Sequence, residues 1–166
     1  MYYKLMSYFK FLLKSTNAHG VHSPFVFNFV TKCLYSKQNL NDKKTVNVLL
    51  KSISHFNFKN VEIESSQEIE SLVKDTFQNI NFDEIQVDFL FTEQMNASKF
   101  ATLFSEGRLH NGSMILINGI HQDRQKQQEW ENLIASPNIT VSIDMFHCGA
   151  LFIRKEQVKE HFTIRI

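Results

Sequence analysis

Polar residues recur every three or four positions at the start of the chain, where Lys4, Ser7, Lys10 and Lys14 leave Leu5, Tyr8, Phe9, Leu12 and Leu13 to the other side. That spacing predicts an amphipathic helix over residues 1–15. Its apolar side is expected to pack on its own domain or on a partner subunit, with an interfacial membrane helix as the alternative. Ser23-Pro24 then sets a capping hydroxyl before a proline at the first helical position, and Phe25, Val26, Phe29, Val30, Cys33 and Leu34 continue at helical spacing. After a polar linker from Ser36 to Asp42, Val46, Leu49, Leu50 and Ile53 predict a third helix.

From about residue 59 the period changes. Lys59 to Glu64 reads as a strand, and Ser65 with Glu68 reads as a capping box for a helix carrying Ile69, Leu72, Val73 and Phe77. Ile85 to Phe91 is a second strand. Asn96 caps a helix with Phe100, Ala101, Leu103 and Phe104 inward, stopped by Gly107, and Ser113 to Ile117 is a fully apolar third strand. Gln122 to Ala135 is a polar helix anchored by Trp130, Leu133 and Ile134. Ile139 to Ile143 and Ala150 to Arg154 form an antiparallel hairpin. The alternation predicts an α/β sheet, mainly parallel, with one antiparallel strand. The organisation is one compact unit: an N-terminal helical segment, 1–56, packing on a sheet domain, 57–166.

Composition sharpens this in one respect. The 166 residues hold 16 Phe but only 5 Gly, and none of Gly20, Gly107, Gly112, Gly119 and Gly149 forms a GxG pair. A phosphate-cradling P-loop and a G-x-G-x-x-G fingerprint are both absent. Eighteen Lys+Arg against seventeen Asp+Glu give a net charge of +1 with no basic block, so no nucleic-acid partner is expected. Cys33 and Cys148 lack the spacing of a disulfide framework, apolar runs reach about four residues where a membrane span needs about 20, and no leader pattern opens the chain. The expected location is cytoplasmic.

The two ends carry a resemblance. Leu12 to Asn17 with His19-Gly20-Val21-His22-Ser23-Pro24-Phe25-Val26-Phe27, and Val141 to Asp144 with Phe152 to Gln157 and His161 to Arg165, resemble a group of bacterial class I S-adenosylmethionine-dependent methyltransferases. The resemblance implies a truncated Rossmann-like methyltransferase sheet with a C-terminal antiparallel hairpin, preceded by N-terminal helices. It also implies an acidic residue and a glycine-rich turn after the first strand, because only bare backbone approaches the cofactor closely. Here that stretch reads Val61-Glu62-Ile63-Glu64-Ser65-Ser66. Glu62 fits the acidic position, whereas Glu64 stands where glycine is implied and puts a carboxylate in the cofactor's path. Glu62, Glu64 and Ser65 are therefore read as vestiges of a cofactor site. Family members are longer, and the missing length falls between residues 77 and 85, where two strands and the acidic residue that holds the ribose would lie. Without them the first strand becomes a sheet edge that the N-terminal helices or another chain must cover.

At the later strand ends Glu93 remains acidic, while Asn118 and Gly119 replace implied aspartates, so no metal is expected. His121, after a strand end, is the best candidate for a general base, with Glu93 beside it if the protein is active. His19 and His22 read as loop histidines at a helix start, and a Cys148 nucleophile beside His147 lacks an orienting third group. Phe9, Phe11, Phe56 and Phe58 belong either to the core or to a partner surface. The sequence thus points to a methyltransferase-like protein that has lost S-adenosylmethionine binding, expects no cofactor, and acts with a protein partner, as a homodimer or with an intact methyltransferase relative. An active methyltransferase with a remodelled pocket and a membrane-peripheral protein using residues 1–15 are the alternatives.

Overall fold

The computed structural model describes residues 2–64 and 66–166. Three helical segments come first: α1 (Tyr2–Lys14), α2 (Pro24–Asn28), which continues as a π-turn over Phe29–Leu34, and α3 (Lys44–Phe56). Strands and helices then alternate as β1 (Val61–Ile63), α4 (Gln67–Thr76), β2 (Val87–Thr92), α5 (Ala97–Ser105), β3 (Leu109–Asn118) and α6 (Arg124–Ala135). The chain closes with β4 (Val141–Asp144), β5 (Cys148–Phe152) and β6 (Glu160–Thr163).

The caps explain where the helices begin. Ser23, Asn96 and Asp123 each accept the N–H three residues on, which satisfies one of the orphan donors of the first turn. For α4 the cap is Ser66, whose hydroxyl accepts from Ile69 N, so the helix starts one residue later than the Ser65 box implied. Ser65 itself lies outside the described residues.

The sheet order is β1-β2-β3-β5-β4-β6, parallel across β1, β2 and β3, with β5 antiparallel between β3 and β4. This is the truncated Rossmann-like sheet with its C-terminal hairpin. Period-two alternation sorts its side chains between two layers. Phe89, Phe91, Met114, Leu116 and Phe152 face the core shared with α2, α3 and α4, while Leu90, Ile115, Ile117 and Leu151 face α5 and α6. Most phenylalanines are spent on the first layer, where Phe25, Phe29, Phe56 and Phe152 pack as a ring cluster with centroids 5.1–6.0 Å apart.

Several boundaries differ from the sequence reading. β1 is only three residues long, because the N–H groups of Lys59 and Asn60 go to the Asp88 carboxylate instead of a ladder. Ile85 is exposed and β2 begins at Val87; β3 begins earlier, at Leu109; and Ala101 faces solvent. Strand β6 has no clear period-two pattern and was not foreseen; it lies parallel to β4, from Val141↔Glu160 to Asp144↔Thr163.

Each sheet edge is bridged by one residue through two hydrogen bonds. At β1, Val61 N donates to Asn81 O and Asn81 N to Lys59 O, so the stretch around Asn81 stands where an outer strand would lie. At β6, Thr16 bridges Ile164, giving its N–H to Thr163 O and accepting from Arg165 N. The two ends that carry the family resemblance therefore meet along one edge.

Helix α1 departs most from expectation. It buries Ser7 and Phe11, with Phe11 packed on Phe146 at 5.4 Å, whereas Leu5, Phe9 and Leu13 of the apolar side are exposed.

Candidate functional site

In a sheet of this kind the C-terminal strand ends converge on one edge, where the helix N-termini also point and side chains are free of the ladder. A cleft of about 560 Å³ opens there, between the starts of α3 (Lys43, Lys44, Thr45) and α4 (Ser66, Glu68, Ile69), over Phe91, Glu93, Asn118 and His147. A second hollow of about 360 Å³ shares Thr45, Glu93, Asn118 and His147 with it and extends to Lys4, His121 and Phe146. Both volumes fall in or near the range of small-molecule sites.

Glu93, exposed at the end of β2, accepts Asn118 Nδ2 at 3.0 Å across the floor. His121 lies just past the end of β3, and its Nε2 sits 2.7 Å from Asp144 Oδ2 at the end of β4. Both side chains are nine-tenths buried. Strands β3 and β4 run in the same direction on either side of β5, which is why residues 23 apart in sequence meet. The other Asp144 oxygen accepts Phe146 N at 2.8 Å. That bond holds Phe146 at φ +66, a left-handed conformation costly for a bulky residue, and its ring stacks on the His121 imidazole with centroids 5.1 Å apart. His121 Nδ1 is buried without a partner. One nitrogen is thus committed to Asp144 and the other is sealed, so the dyad fixes the β4–β5 turn against α1 rather than offering a base to the cleft.

Glu62 and Glu64 turn away from the cleft. Glu62 pairs with Arg108 at 2.6 Å, and both oxygens of Glu64 accept Lys99 Nζ at 2.7 and 2.6 Å. Neither glutamate lines the cleft: residues 62 and 64 share the α5 face of β1, where Lys99 holds the Glu64 carboxylate. His147 lines both hollows, and burial, then the charges of Lys44 and Lys4, hold its pKa below 6.5. Cys148 is buried, and burial pushes its thiol up to about 12, which leaves no thiolate for nucleophilic attack at neutral pH. His19 and His22 are exposed, with His19 N bonded to Asn17 Oδ1 as expected of a helix start. Among the described residues no group of three or more His, Cys, Asp or Glu is placed to hold a metal ion.

The sequence singled out His121 and Glu93 but not Asp144, Lys43, Lys44, Thr45 or His147 as neighbours of one cleft. The available signal was that Asp144 ends a strand, as His121 follows one; only the strand order makes those ends adjacent.

No family model matches the chain, and no curated protein matches it. Among solved structures it is similar to one described as a "putative caffeoyl-CoA O-methyltransferase from Staphylococcus aureus", at 13% identity and a TM-score of 0.40, covering 89% of this chain and 97% of that one. Among the described residues no helix is long and apolar enough to cross a membrane.

Proposed function

We propose that this is a methyltransferase-like protein that does not bind S-adenosylmethionine and serves in the cytoplasm as a non-catalytic binding or assembly partner, of a second copy or of an intact methyltransferase relative. The observation that carries the reading is the outer position of β1. The two strands that the resemblance puts beyond it, one of them bearing the ribose-binding acid, are represented by the Asn81 bridge alone. The residues around the cleft fit the cofactor poorly for the same reason. The carboxylates on and just after β1, Glu62 and Glu64, are tied to Arg108 and Lys99 on its other side, away from the cleft. Two buried free thiols, Cys33 and Cys148, support a reducing compartment. The β1 edge, paired among the described residues through the Asn81 bridge alone, supports a protein partner there.

The ligand-sized cleft supports a second reading, an active methyltransferase with a remodelled pocket in which positioning does most of the work, with Glu93 on the floor and His121 in its wall. One titration separates the two. Calorimetry with S-adenosylmethionine and S-adenosylhomocysteine is expected to show no binding; a Kd tighter than about 1 mM overturns the proposal in favour of the second reading.

A further inference from the structure

We propose that α1 is a lid on the second hollow, docking and undocking as a unit, and that Phe146 ties its seat to the residues lining that hollow. Helices α1 and α3 are both 13 residues long, yet α3 buries seven side chains and α1, among its described residues, buries Ser7 and Phe11 alone. A gap of about 670 Å³ lies between α1 and α6, with Met6 and Lys10 on one side and Arg124 and Gln128 on the other. The Tyr3 hydroxyl reaches across to donate to Gln127 Oε1. So little apolar burial and so open a flank put the helix at the low end of local stability. The break lies at Ser15. The next residue, Thr16, is fixed on β6, giving its N–H to Thr163 O and accepting from Arg165 N, so motion of α1 stops there and leaves the sheet intact.

The seat itself is Phe146. Its ring meets Tyr8 edge-on with centroids 4.8 Å apart and Phe11 at 5.4 Å. The same ring stacks on His121 at 5.1 Å and meets His147 edge-on at 5.4 Å. Both histidines line the second hollow, together with Phe146 and with Lys4 of α1. The Asp144 carboxylate accepts Phe146 N and holds the backbone at φ +66, which fixes the ring from behind. One ring therefore supports α1 and forms part of the wall. Undocking takes Lys4 out of that wall and opens the hollow on its α1 side. By reciprocity, a change in the hollow that disturbs Phe146 shifts the docking equilibrium of α1. The lid stands on this geometry whether or not the cleft binds a cofactor.

Hydrogen exchange of the full chain, read by mass spectrometry, tests both parts. An isolated helix of this length is marginal in water, so undocking unprotects its amides. The amides of α1 should exchange at least about 100-fold faster than those of β3, which open only on global unfolding. Tyr3→Phe removes one hydroxyl and leaves the core untouched; it should speed α1 exchange about threefold. Phe11→Ala should speed it at least about tenfold, with β3 unchanged. His147→Ala alters the hollow side of Phe146 and should speed α1 exchange at least about fivefold, again with β3 unchanged. Equal protection of α1 and β3 in the parent overturns the lid, as does a Phe11→Ala variant in which both lose protection together. Parent-like exchange of α1 in His147→Ala overturns the coupling through Phe146.

Discussion

Gly149 offers a measurement of how tightly α6 is seated on the sheet beneath the cleft. It lies in β5, paired with Ile117 of β3 on one side and facing Asp144 of β4 on the other, so its backbone is held within the sheet. A Cβ at this position would stand 2.4, 2.6 and 2.9 Å from Cζ3, Cη2 and Cε3 of Trp130, where ordinary contact begins at 3.4 Å. Trp130 is 3% exposed and rigid, so Gly149→Ala must lift the indole, and α6 with it, by roughly 1 Å out of a close-packed layer. Overpacking of this kind costs about 1–3 kcal/mol, and the lack of any flexible neighbour puts this case at about 2–3 kcal/mol. For a domain of this size each kcal/mol is about 2–4 °C, so the midpoint should fall by roughly 5–10 °C. Thermal unfolding followed by circular dichroism measures it, and the single tryptophan reports the same site by fluorescence. The double-mutant cycle is decisive: in a Trp130→Leu background the ring is gone, and most of the alanine penalty should go with it, a coupling of at least about 1 kcal/mol. A midpoint unchanged in Gly149→Ala, or an equal loss with and without the indole, refutes the contact as the cause.

Three further predictions concern polar groups the fold has buried or crowded. The Lys51 ammonium, 8% exposed, donates to Leu34 O at 3.3 Å and Ser36 O at 2.9 Å, closing the end of the π-turn. Lys51→Met keeps the stem and strands both carbonyls, so urea unfolding should show a loss of about 1–3 kcal/mol; an unmoved midpoint would contradict the capping role. His147 is held below its ordinary pKa by burial, Lys44 and Lys4. His55 is shifted the same way by burial and Lys32, and His161 by burial and Lys14 against the pull of Asp144. A lowered folded pKa means that the unfolded chain binds the proton first, so this stability is complete above pH 6.5, the ordinary value, and is lost as pH falls through the folded values. Stability should therefore decline from about pH 7 to about pH 5. Lys4→Gln should raise the His147 midpoint in an NMR titration; no movement would remove Lys4 as a cause.

What the sequence determined by itself is local. Three- and four-residue spacing located the helices because their faces are set by neighbours one turn away, and Ser23 and Asn96 marked starts because a cap bonds only three residues on. Alternation of strands and helices, ending on a hairpin, was enough for the fold class, and the short connection before β2 was enough to leave β1 at an edge. Tertiary structure decided everything that depends on which distant segments become neighbours. Strand β6, with a half-buried and irregular pattern, exists because β4 offers it an edge and Thr16 closes the other side. Glu62 and Glu64 were legible as acids out of place, but the partners that draw them to the α5 face, Arg108 and Lys99, are 46 and 35 residues away. His121 could be picked from its strand end, yet its commitment to Asp144 needed the strand order. The periodicity of α1 gave the helix and its apolar face; the packing of Phe11 against the β4–β5 turn chose the opposite face to bury, because a fixed aromatic site on the domain outweighed the longer but unmatched stripe.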